Sequence, residues 1–556
     1  MTASYDETRA SPEITLLVVA SCAAVALILG LTDGLTFFLD EWSIILGRQD
    51  WSLDSLLEPH NEHIYLGPVV VYKLLLGIFG MESTLPFQLV NGLFVVLVAW
   101  LVFVYLRSRV GGWPALFAAA VLLFLGAAWE DLLWPAGISF MGAIAAGVGA
   151  LLVLDREPRP NDVLASVLLV VSVCFSSLGL VFAAGAAADV LTRGGGWLRR
   201  AYLPLAPVLL YVVWYLAYGQ DAESAASLDN FLDAPRYIWE AAGGALASLL
   251  GLVAVDPEAF GAVHNLEWGR PLAVGLAIGL VWLAWRRPAA MSPQFWVIAL
   301  TAGSFWFLAA LNAIPGREPG ASRYQLIGSV LLLLGAAELF RGARLARRAT
   351  WGLAVLATAS VVSNIGALRN GEEFLRGESD LAEADLTALE LAREHLDPSF
   401  ALTPEVAGTP FLANVSASAY FEAVDRWGSP AGSTRELAQS SEEARASADS
   451  VLAAALGLEL TAEESITAAG SEEACEVIAS ESGSATPIEL PAGGATIEPE
   501  AGSVQLRLRR FAEADYPVDL GTIDGPASLT IPTDSSTRPW VAEIAGDAPT
   551  TMVCAG

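Results

Sequence analysis

Apolar runs long enough to cross a lipid bilayer recur along this sequence, and they constrain its fold more than any other feature. A helix of about 20 apolar residues spans the ~30 Å hydrocarbon core of a membrane. The chain has 556 residues, of which 54% are hydrophobic and only 16% are charged. A soluble fold of this composition would expose large apolar patches. We therefore predict a mainly α-helical protein that crosses the membrane many times.

Arginine indicates the orientation of the crossings, because the chain has a single lysine, Lys73. Loops rich in arginine remain preferentially on the cytoplasmic side. Placing every arginine cluster there gives a multi-pass plasma-membrane protein with its N-terminus in the cytoplasm and its C-terminal region outside. The predicted spans, eleven in all, are residues 13–32, 86–106, 113–129, 138–154, 162–175, 178–192, 201–218, 271–285, 294–311, 323–340 and 350–366.

Two further apolar runs, residues 64–80 and 237–255, are left out of this count. Inserting either one alone would turn every later arginine cluster outward, and inserting both would misplace the clusters between them. We expect both to be juxtamembrane helices on the outer side, lying in the membrane interface or dipping partway into the membrane. Lys73 agrees with this placement, since its ammonium can reach lipid headgroups. The result is a transmembrane domain over residues 1–366, with a first outer loop at 33–85.

Residues 367–556 are predicted to form an extracytoplasmic α+β domain with a β-rich end. Helical patterns run from residue 380 to 470, and short alternating runs such as SVQLRLRRF follow from residue 484. Most of the acidic excess behind the net charge of −30 lies here, and so acidic a chain is not expected to bind nucleic acid. Cys475 and Cys554 also lie here, and an exported pair suits a disulfide.

An acidic pair, Asp40 and Glu41, lies a few residues beyond the end of the first predicted span. Ionisable groups at a membrane boundary are costly to keep, so a cluster of them indicates a functional site. A carboxylate there can act as general base toward a hydroxyl group, which is a poor nucleophile near neutral pH. The alternative is structural, because DEWSIILG is also a good helix start, with Asp40 as N-cap and Glu41 in the first turn.

The segment LDEWSIILGRQDW, residues 39–51, resembles the first outer loop of the GT-C superfamily, in particular the lineage of protein O-mannosyltransferases and lipid A aminoarabinose transferases. In that family an acidic pair precedes an amphipathic helix, a proline motif, an apolar run ending in Phe-Gly, and paired arginines. The matching residues here are Asp40, Glu41, Asp50, Trp51, Gly67, Pro68, Phe79, Gly80, Arg107 and Arg109. The chain departs from the family at Gly67, where the family has lysine or histidine, and at Val69, where it has a second proline.

The resemblance implies a membrane glycosyltransferase that moves a sugar from a polyprenyl-phosphate carrier to a hydroxyl acceptor on the outer face, with inversion. The acceptor would be a cell-envelope glycan, a lipid or a protein. Asp40 matches the family's catalytic aspartate, and Glu41 would share its role. The departing lipid phosphate needs a fixed cation, for which the planar fork of arginine is suited.

Two later outer loops hold further candidates for substrate binding. In the first, Glu130 and Asp131 would bind sugar hydroxyls while Trp134 stacks on the apolar face of the sugar; the alternative is a solvated helix end with an interfacial tryptophan. In the second, GREPGASRYQ, a resemblance to the superfamily's late outer loop suggests that Arg323, ahead of Arg317, binds the carrier phosphate beside Tyr324. The alternative for these three is an interfacial anchor. Arginines are normally kept on the cytoplasmic side. Because these two lie on the predicted outer side, we favour the phosphate-binding role for them.

His60 and His63 are candidates for the polar role that the family gives to the residue before its proline. Their His-x-x-His spacing places both on one helical face, where together with Asp40 and Glu41 they are an alternative set of ligands for a divalent metal. The other interpretation is loop histidines bonded to water or backbone, and no further cofactor is predicted. Two rival functions share the polytopic shape: a transporter or flippase of lipid-linked sugars, and a non-catalytic envelope assembly protein. The predicted spans are nearly free of charge, unlike those of transporters.

Overall fold

The computed structural model describes residues 11–156, 161–193, 196–220, 222, 225–412, 415–463, 475–479, 485–534 and 536–555. It confirms the predicted fold class, a mainly α-helical membrane protein with a β-rich C-terminal end. The helices are α1 (Pro12–Leu31), α2 (Asp40–Gly47), α3 (Leu53–Leu57), α4 (Leu66–Phe79), α5 (Leu85–Val110), α6 (Gly112–Leu123), α7 (Trp129–Leu133), α8 (Ile138–Leu154), α9 (Asp162–Phe175), α10 (Gly179–Thr192), α11 (Trp197–Arg200), α12 (Tyr202–Ala217), α13 (Leu228–Leu249), α14 (Leu266–Arg286), α15 (Pro293–Leu311), α16 (Ser322–Leu339), α17 (Arg347–Leu391), α18 (Ala417–Trp427), α19 (Thr434–Leu437) and α20 (Glu442–Ala455).

The strands form two larger antiparallel sheets near the C-terminus and two short pairs. The strands are β1 (Ala254–Val255), β2 (Val263–His264), β3 (Ala401–Leu402), β4 (Val415–Ser416), β5 (Leu460–Ala462), β6 (Cys475–Ala479), β7 (Thr486–Glu489), β8 (Gly493–Pro499), β9 (Val504–Arg509), β10 (Val518–Ile523), β11 (Ala527–Ile531), β12 (Val541–Gly546) and β13 (Thr550–Ala555). One larger sheet has the strand order β10-β9-β12-β7 and the other β5-β11-β8-β13-β6, while β1 pairs with β2 and β3 with β4.

The chain divides into two compact units, which we call the helical unit and the C-terminal unit. The helical unit comprises Met1–Gly34, Arg48–Leu75 and Thr84–Leu375, and the C-terminal unit comprises Leu35–Gly47, Leu76–Ser83 and Arg376–Gly556. The boundary at 375/376 falls inside α17. The start of the first outer loop, including the acidic pair at its head, therefore belongs to the C-terminal unit.

Ten of the eleven predicted spans fall largely within one helix each, whereas 113–129 covers α6 and the break before α7. Among the described residues, six helices are long and apolar enough to cross a membrane, or seven if the bent pair Gly112–Leu123 and Gly126–Leu133 counts as one span. Four shorter apolar helices, α4, α9, α10 and α12, have 14 to 16 residues, which corresponds to about 21–24 Å. The number of crossings therefore stays a prediction.

The bend between α6 and α7 is fixed by a close approach of α17. A Cβ atom on Gly126 would lie 1.8 Å from the carbonyl oxygen of Asn364, so only glycine fits there. The side chain of Asn364 also accepts a hydrogen bond from the backbone N–H of Ala127 at 3.1 Å and donates one to the carbonyl of Ser248 at 3.0 Å. These contacts determine where α7, which carries two of the candidate site residues, begins.

Helix α13 packs along the first turns of α16 and contacts the loop before it. The hydroxyl of Tyr237 donates to the carbonyl of Arg317 at 2.9 Å, and the hydroxyl of Ser248 donates to the side chain of Gln325 at 3.1 Å. The hydroxyl of Ser329 also donates to the carbonyl of Ala245 at 3.5 Å, so successive positions on α13 contact successive levels of α16. Within the described part of the chain, α13 is not among the helices apolar enough to cross the membrane. The placement of residues 237–255 at the membrane surface stays a prediction.

The part of the first outer loop that belongs to the helical unit is held by two sets of hydrogen bonds. Lys73 is buried, and its ammonium donates to the carbonyls of Arg48 and Asp50. It therefore binds protein carbonyls and not lipid headgroups, contrary to the expectation from the sequence. On the other side, the indole N–H of Trp214 in α12 donates to the carbonyl of Leu57 at 2.7 Å.

Charged side chains are buried where α5, α8 and α16 end. Arg109 forms ion pairs with Glu338 and Asp155, and the side chains of Arg109 and Glu338 are 1% and 0% exposed. The hydroxyl of Tyr105 donates to Glu338 at 2.6 Å. A buried charge is tolerated when it is paired and hydrogen-bonded. The spans predicted from the sequence are nearly free of charge, and this charged network lies at their ends, not at their middles.

In the C-terminal unit, the strands of the larger sheets bury alternate side chains, such as Leu506 and Leu508 of β9. Asp449 of α20 holds the chain just beyond β9, because its carboxylate accepts hydrogen bonds from the backbone N–H groups of residues 510–512. Burial raises the pKa of Asp449, which those hydrogen bonds oppose. Cys475 of β6 and Cys554 of β13 face each other across the sheet and form a disulfide.

Candidate functional site

The centre of the candidate site is an ion pair between α7 and the first turn of α16. The Arg323 guanidinium donates from Nε to Oε2 of Glu130 at 2.9 Å. The backbone N–H of Glu130 donates to the hydroxyl of Ser322 at 3.1 Å, so neighbouring residues of α16 hold both ends of this glutamate. Glu130 is buried. Because a buried carboxylate needs a charged partner, this pairing fixes the position of the arginine.

Asp131 follows directly and is also buried. Its backbone carbonyl accepts a hydrogen bond from Nδ2 of Asn91 at 3.0 Å, and the same amide contacts the carbonyls of Leu132 and Trp134. One asparagine on α5 thereby donates to backbone carbonyl groups at the C-terminal end of the five-residue helix α7, which lack partners within the helix. The Oδ2 atom of Asp131 has no hydrogen-bond partner among the residues that the structure describes. Buried acceptors of this kind usually bind water or a ligand hydroxyl.

A second ion pair adjoins the first. The guanidinium of Arg317 donates to Oε1 of Glu62 at 3.1 Å, which ties the loop before α16 to the first outer loop. Tyr324 lies within electrostatic reach of Arg317, Arg323, Glu62 and Glu130. The structure thus brings together most of the outer-loop residues predicted from the sequence. Glu62, which the sequence analysis did not name, is the fifth member of this cluster.

An aromatic wall borders the ion pairs. The ring of Phe260, in the segment between β1 and β2, lies 6.3 Å from the ring of Trp134, and the guanidinium of Arg323 lies 5.6 Å from the centre of the Phe260 ring. The next residue, Gly261, has a φ of +67°, and a Cβ there would lie 2.7 Å from Oε1 of Glu130. Glycine therefore lets this segment close over the glutamate. Nothing in the local sequence signals this contact.

The two histidines lie on a tight turn and not on one face of a helix, which corrects the expectation from their spacing. His60 and His63 exchange backbone hydrogen bonds of 3.2 and 3.0 Å across the turn, and Asn61 between them has a φ of +50°. The ring of His63 is hydrogen-bonded to the hydroxyl of Ser177, and Nε2 lies 4.0 Å from Oε1 of Glu62. His60 stacks on Tyr65 at 4.4 Å.

A metal centre was the alternative interpretation of the histidines and the acidic pair. In the described ranges, no group of three or more histidine, cysteine, aspartate or glutamate side chains is arranged to hold a metal ion. His60 and His63 belong to the helical unit, whereas Asp40 and Glu41 belong to the C-terminal unit.

Asp40 and Glu41 occupy the first turn of α2. Glu41 is fully buried and accepts a hydrogen bond from the backbone N–H of Phe38 at 2.9 Å, which is the pattern of a helix-capping carboxylate. Asp40 is half-buried. The residue before it, Leu39, has a φ of +45°, an unfavourable conformation for a leucine. Strained backbone of this kind is concentrated at functional positions.

No family model and no curated protein matches the chain. Among solved structures, the chain is similar to ArnT from Cupriavidus metallidurans, which was crystallised with undecaprenyl phosphate bound. The TM-score is 0.42 and the identity 15%, and the likeness covers 70% of this chain and 82% of that one. A TM-score of this size carries no argument about activity.

Proposed function

We propose that this protein is a membrane glycosyltransferase that moves a sugar from a polyprenyl-phosphate carrier to a hydroxyl acceptor on the outer face of the plasma membrane. The observation that carries the proposal is the cluster of two arginines, each paired with a glutamate, where α7, α16 and the first outer loop meet. Cations fixed at a membrane boundary suit a lipid phosphate. The resemblance of the first outer loop to GT-C enzymes gives the reaction type.

The carrier phosphate binds to Arg317 and Arg323 in this proposal. Arg317 uses one N–H for Glu62, and its other side-chain N–H groups make no hydrogen bond within the described residues. Arg323 uses Nε for Glu130. A guanidinium held in place through one edge can present another edge to two phosphate oxygens. Because Arg317 has these N–H groups available, we assign it a role in phosphate binding at least equal to that of Arg323.

The sugar binds beside the arginines, with its hydroxyl groups at Glu130 and Asp131 and its apolar face on Trp134. Asp131 supports this assignment, since its buried Oδ2 atom lacks a partner in the described structure and a sugar hydroxyl would supply one. His60 and His63 line the neighbouring turn and would contact the substrate from the first outer loop. A divalent metal is not required by this scheme.

Asp40 is the proposed general base, with Glu41 positioning the turn that carries it. The acceptor oxygen attacks the anomeric carbon while its proton passes to the Asp40 carboxylate. The bond from that carbon to the phosphate oxygen breaks, and its electron pair leaves with the polyprenyl phosphate, whose added charge the arginines stabilise. One displacement inverts the anomeric configuration. The strained backbone at Leu39 supports a functional role for this turn.

The test is transfer by the purified protein in liposomes, with a panel of radiolabelled polyprenyl-phosphate sugars as donors and membrane extract as acceptor. Release of polyprenyl phosphate and labelled product should both depend on the protein. Asp40→Asn should lower the rate by about 10²-fold or more, since it removes the base. Asp54→Asn is the matched control, because Asp54 is an exposed aspartate of the same loop.

Three outcomes would contradict the proposal in whole or in part. Full activity of the Asp40→Asn variant would remove the catalytic assignment while leaving a transferase. Movement of labelled donor across the bilayer without release of polyprenyl phosphate would instead support the rival flippase. A folded protein that neither transfers a sugar from any donor of the panel nor moves the donor across the bilayer would support the non-catalytic assembly protein.

A further inference from the structure

A groove of about 420 Å³ opens among the helices of the helical unit, outside the candidate site. Its walls come from α5, α6, α13, α16 and α17 and from the segment that joins α16 to α17. Every lining residue is an alanine, leucine, valine, phenylalanine or proline. The volume lies within the ~300–1,000 Å³ typical of small-molecule sites, and the lining suits a hydrocarbon chain.

Along α16 the groove begins about 15 Å from Arg323 of the proposed transfer site and extends away from it. Its lining on this helix runs from Leu333 to Phe340, whereas Arg323 lies in the first turn. At 1.5 Å per residue, Phe340 is about 26 Å from Arg323 along the helix axis. On α5 the lining residues, Leu106 and Val110, also lie at the end where Arg107 and Arg109 mark the predicted cytoplasmic side.

Three arginines are close in the chain to residues that line the groove at its α16–α17 end. Ala343 and Leu345 line it and flank Arg344, while Arg347 and Arg348 begin α17. These three arginines are exposed, and in the described structure none of them forms an ion pair or a side-chain hydrogen bond.

The neighbouring arginines form ion pairs, unlike Arg344, Arg347 and Arg348. Arg341 and Arg109 are both bound to Glu338. The backbone N–H of Gly342 also donates to the carbonyl of Arg109 at 2.9 Å, which fixes the start of the segment that carries Arg344. The segment is therefore anchored at its beginning while its cationic side chains face outward.

We propose that this groove binds an anionic phospholipid, with an acyl chain among the apolar side chains and the phosphate at Arg344, Arg347 and Arg348. Basic pockets between membrane helices on the cytoplasmic side bind anionic headgroups in this way. The N–H groups of the first turn of α17 add a favourable partial positive charge for a phosphate. An apolar groove that is exposed to lipid would fill with a hydrocarbon chain in any case, and the arginines select its headgroup.

The occupant is a phospholipid and not the carrier of the proposed transfer reaction. The carrier's reacting phosphate must lie at the outer-face arginines, and the α16–α17 end of the groove is about 26 Å from Arg323 along α16. One carrier molecule cannot place the same phosphate at both ends. The inference therefore stands whether or not the proposed transferase function is correct.

The experiment is native mass spectrometry of the full-length protein after exchange into detergent with defined lipid. Phosphatidylglycerol, phosphatidylcholine and polyprenyl phosphate are the three probes. The wild-type protein should retain phosphatidylglycerol about tenfold or more over phosphatidylcholine, because each arginine near a headgroup favours anionic lipid. Changing Arg344, Arg347 and Arg348 together to glutamine should reduce this preference to near onefold.

The matched control changes Arg199, Arg286 and Arg287 to glutamine. These are also exposed arginines on the predicted cytoplasmic side, but they do not line the groove. This control should keep the tenfold preference. Equal loss in both triple variants, or no preference in the wild type, would overturn the proposal. Displacement of phosphatidylglycerol by polyprenyl phosphate at lower concentration, lost in the Arg344 triple variant, would make the carrier the occupant and also overturn it.

Discussion

Arg317 is bound to Glu62 through Nη1, whereas Arg323 is bound to Glu130 through Nε. Replacing either Arg317 or Arg323 with glutamine should lower kcat/KM for the polyprenyl-phosphate donor by about 10²-fold, since each removes a cation at the departing phosphate. Lysine at either position should restore only part of this loss, because it keeps the charge but not the planar fork. The measurement is release of polyprenyl phosphate in liposomes at several donor concentrations.

Arg286→Gln is the control for that pair of variants, as an exposed arginine at the far end of α14. It should leave kcat/KM unchanged. If Arg317→Gln and Arg323→Gln retain full activity, the two ion pairs with Glu62 and Glu130 are structural, and the arginines are only loop anchors. A loss of protein expression without a change in kcat/KM would lead to the same conclusion.

Asp385 makes the stability of the C-terminal unit depend on pH. It is buried in the part of α17 that belongs to this unit, and burial raises its pKa from 3.8 to about 7 against the hydrogen bonds from Ser447 and Gly408. The folded state therefore binds a proton that the unfolded state releases between pH 4 and 7. The free energy of unfolding should fall as pH rises through this range, by on the order of 4 kcal/mol, and level off above it.

Asp385→Asn should flatten this pH dependence, because the amide keeps a similar shape but does not titrate. Urea unfolding of the C-terminal unit at several pH values, followed for the wild type and the variant, measures the difference. Asp397→Asn is the control, since Asp397 is exposed and hydrogen bonds with Ser399 lower its pKa, so it does not titrate in this range. Parallel pH profiles for wild type and Asp385→Asn would contradict the assignment.

The helices could be predicted from the sequence because each depends mainly on its own apolar residues. The span expected at 271–285, for example, falls inside α14, Leu266–Arg286. The break between α6 and α7 could not be predicted, since it depends on the contact of Gly126 with Asn364, more than 200 residues away in the chain. Local hydropathy contains no information about such a contact.

The candidate site shows the same limit. Glu130, Arg317 and Arg323 could be named because charge in an apolar context is conspicuous in a sequence. Glu62 and Phe260 could not, because their roles depend on partners that only the fold brings near. The error over the histidines was avoidable, since Pro59 and Asn61 are turn residues and asparagine readily adopts a positive φ.

On the scale of the whole molecule, the chain combines an apolar helical unit with an acidic C-terminal unit, and α17 contributes to both. This helix has 45 residues, or about 68 Å, more than twice the hydrocarbon thickness of a membrane. Only its apolar part, near the predicted span 350–366, suits the bilayer, and the charged remainder suits water. The two units should therefore respond separately to reagents that act on only one of them.

Removing the disulfide between Cys475 and Cys554 is a change that should affect the C-terminal unit alone. The disulfide closes a loop with a sequence separation of 79 residues, and losing it should lower the free energy of unfolding of the C-terminal unit by roughly 2–4 kcal/mol, because the unfolded chain gains freedom. Calorimetry of Cys475→Ser/Cys554→Ser in detergent should show one transition at a lower Tm and the helical transition unchanged. Cys22→Ser/Cys174→Ser, which removes two free thiols from the helical unit, is the control. A shift of both transitions, or of neither, would show that the disulfide does not stabilise the C-terminal unit on its own.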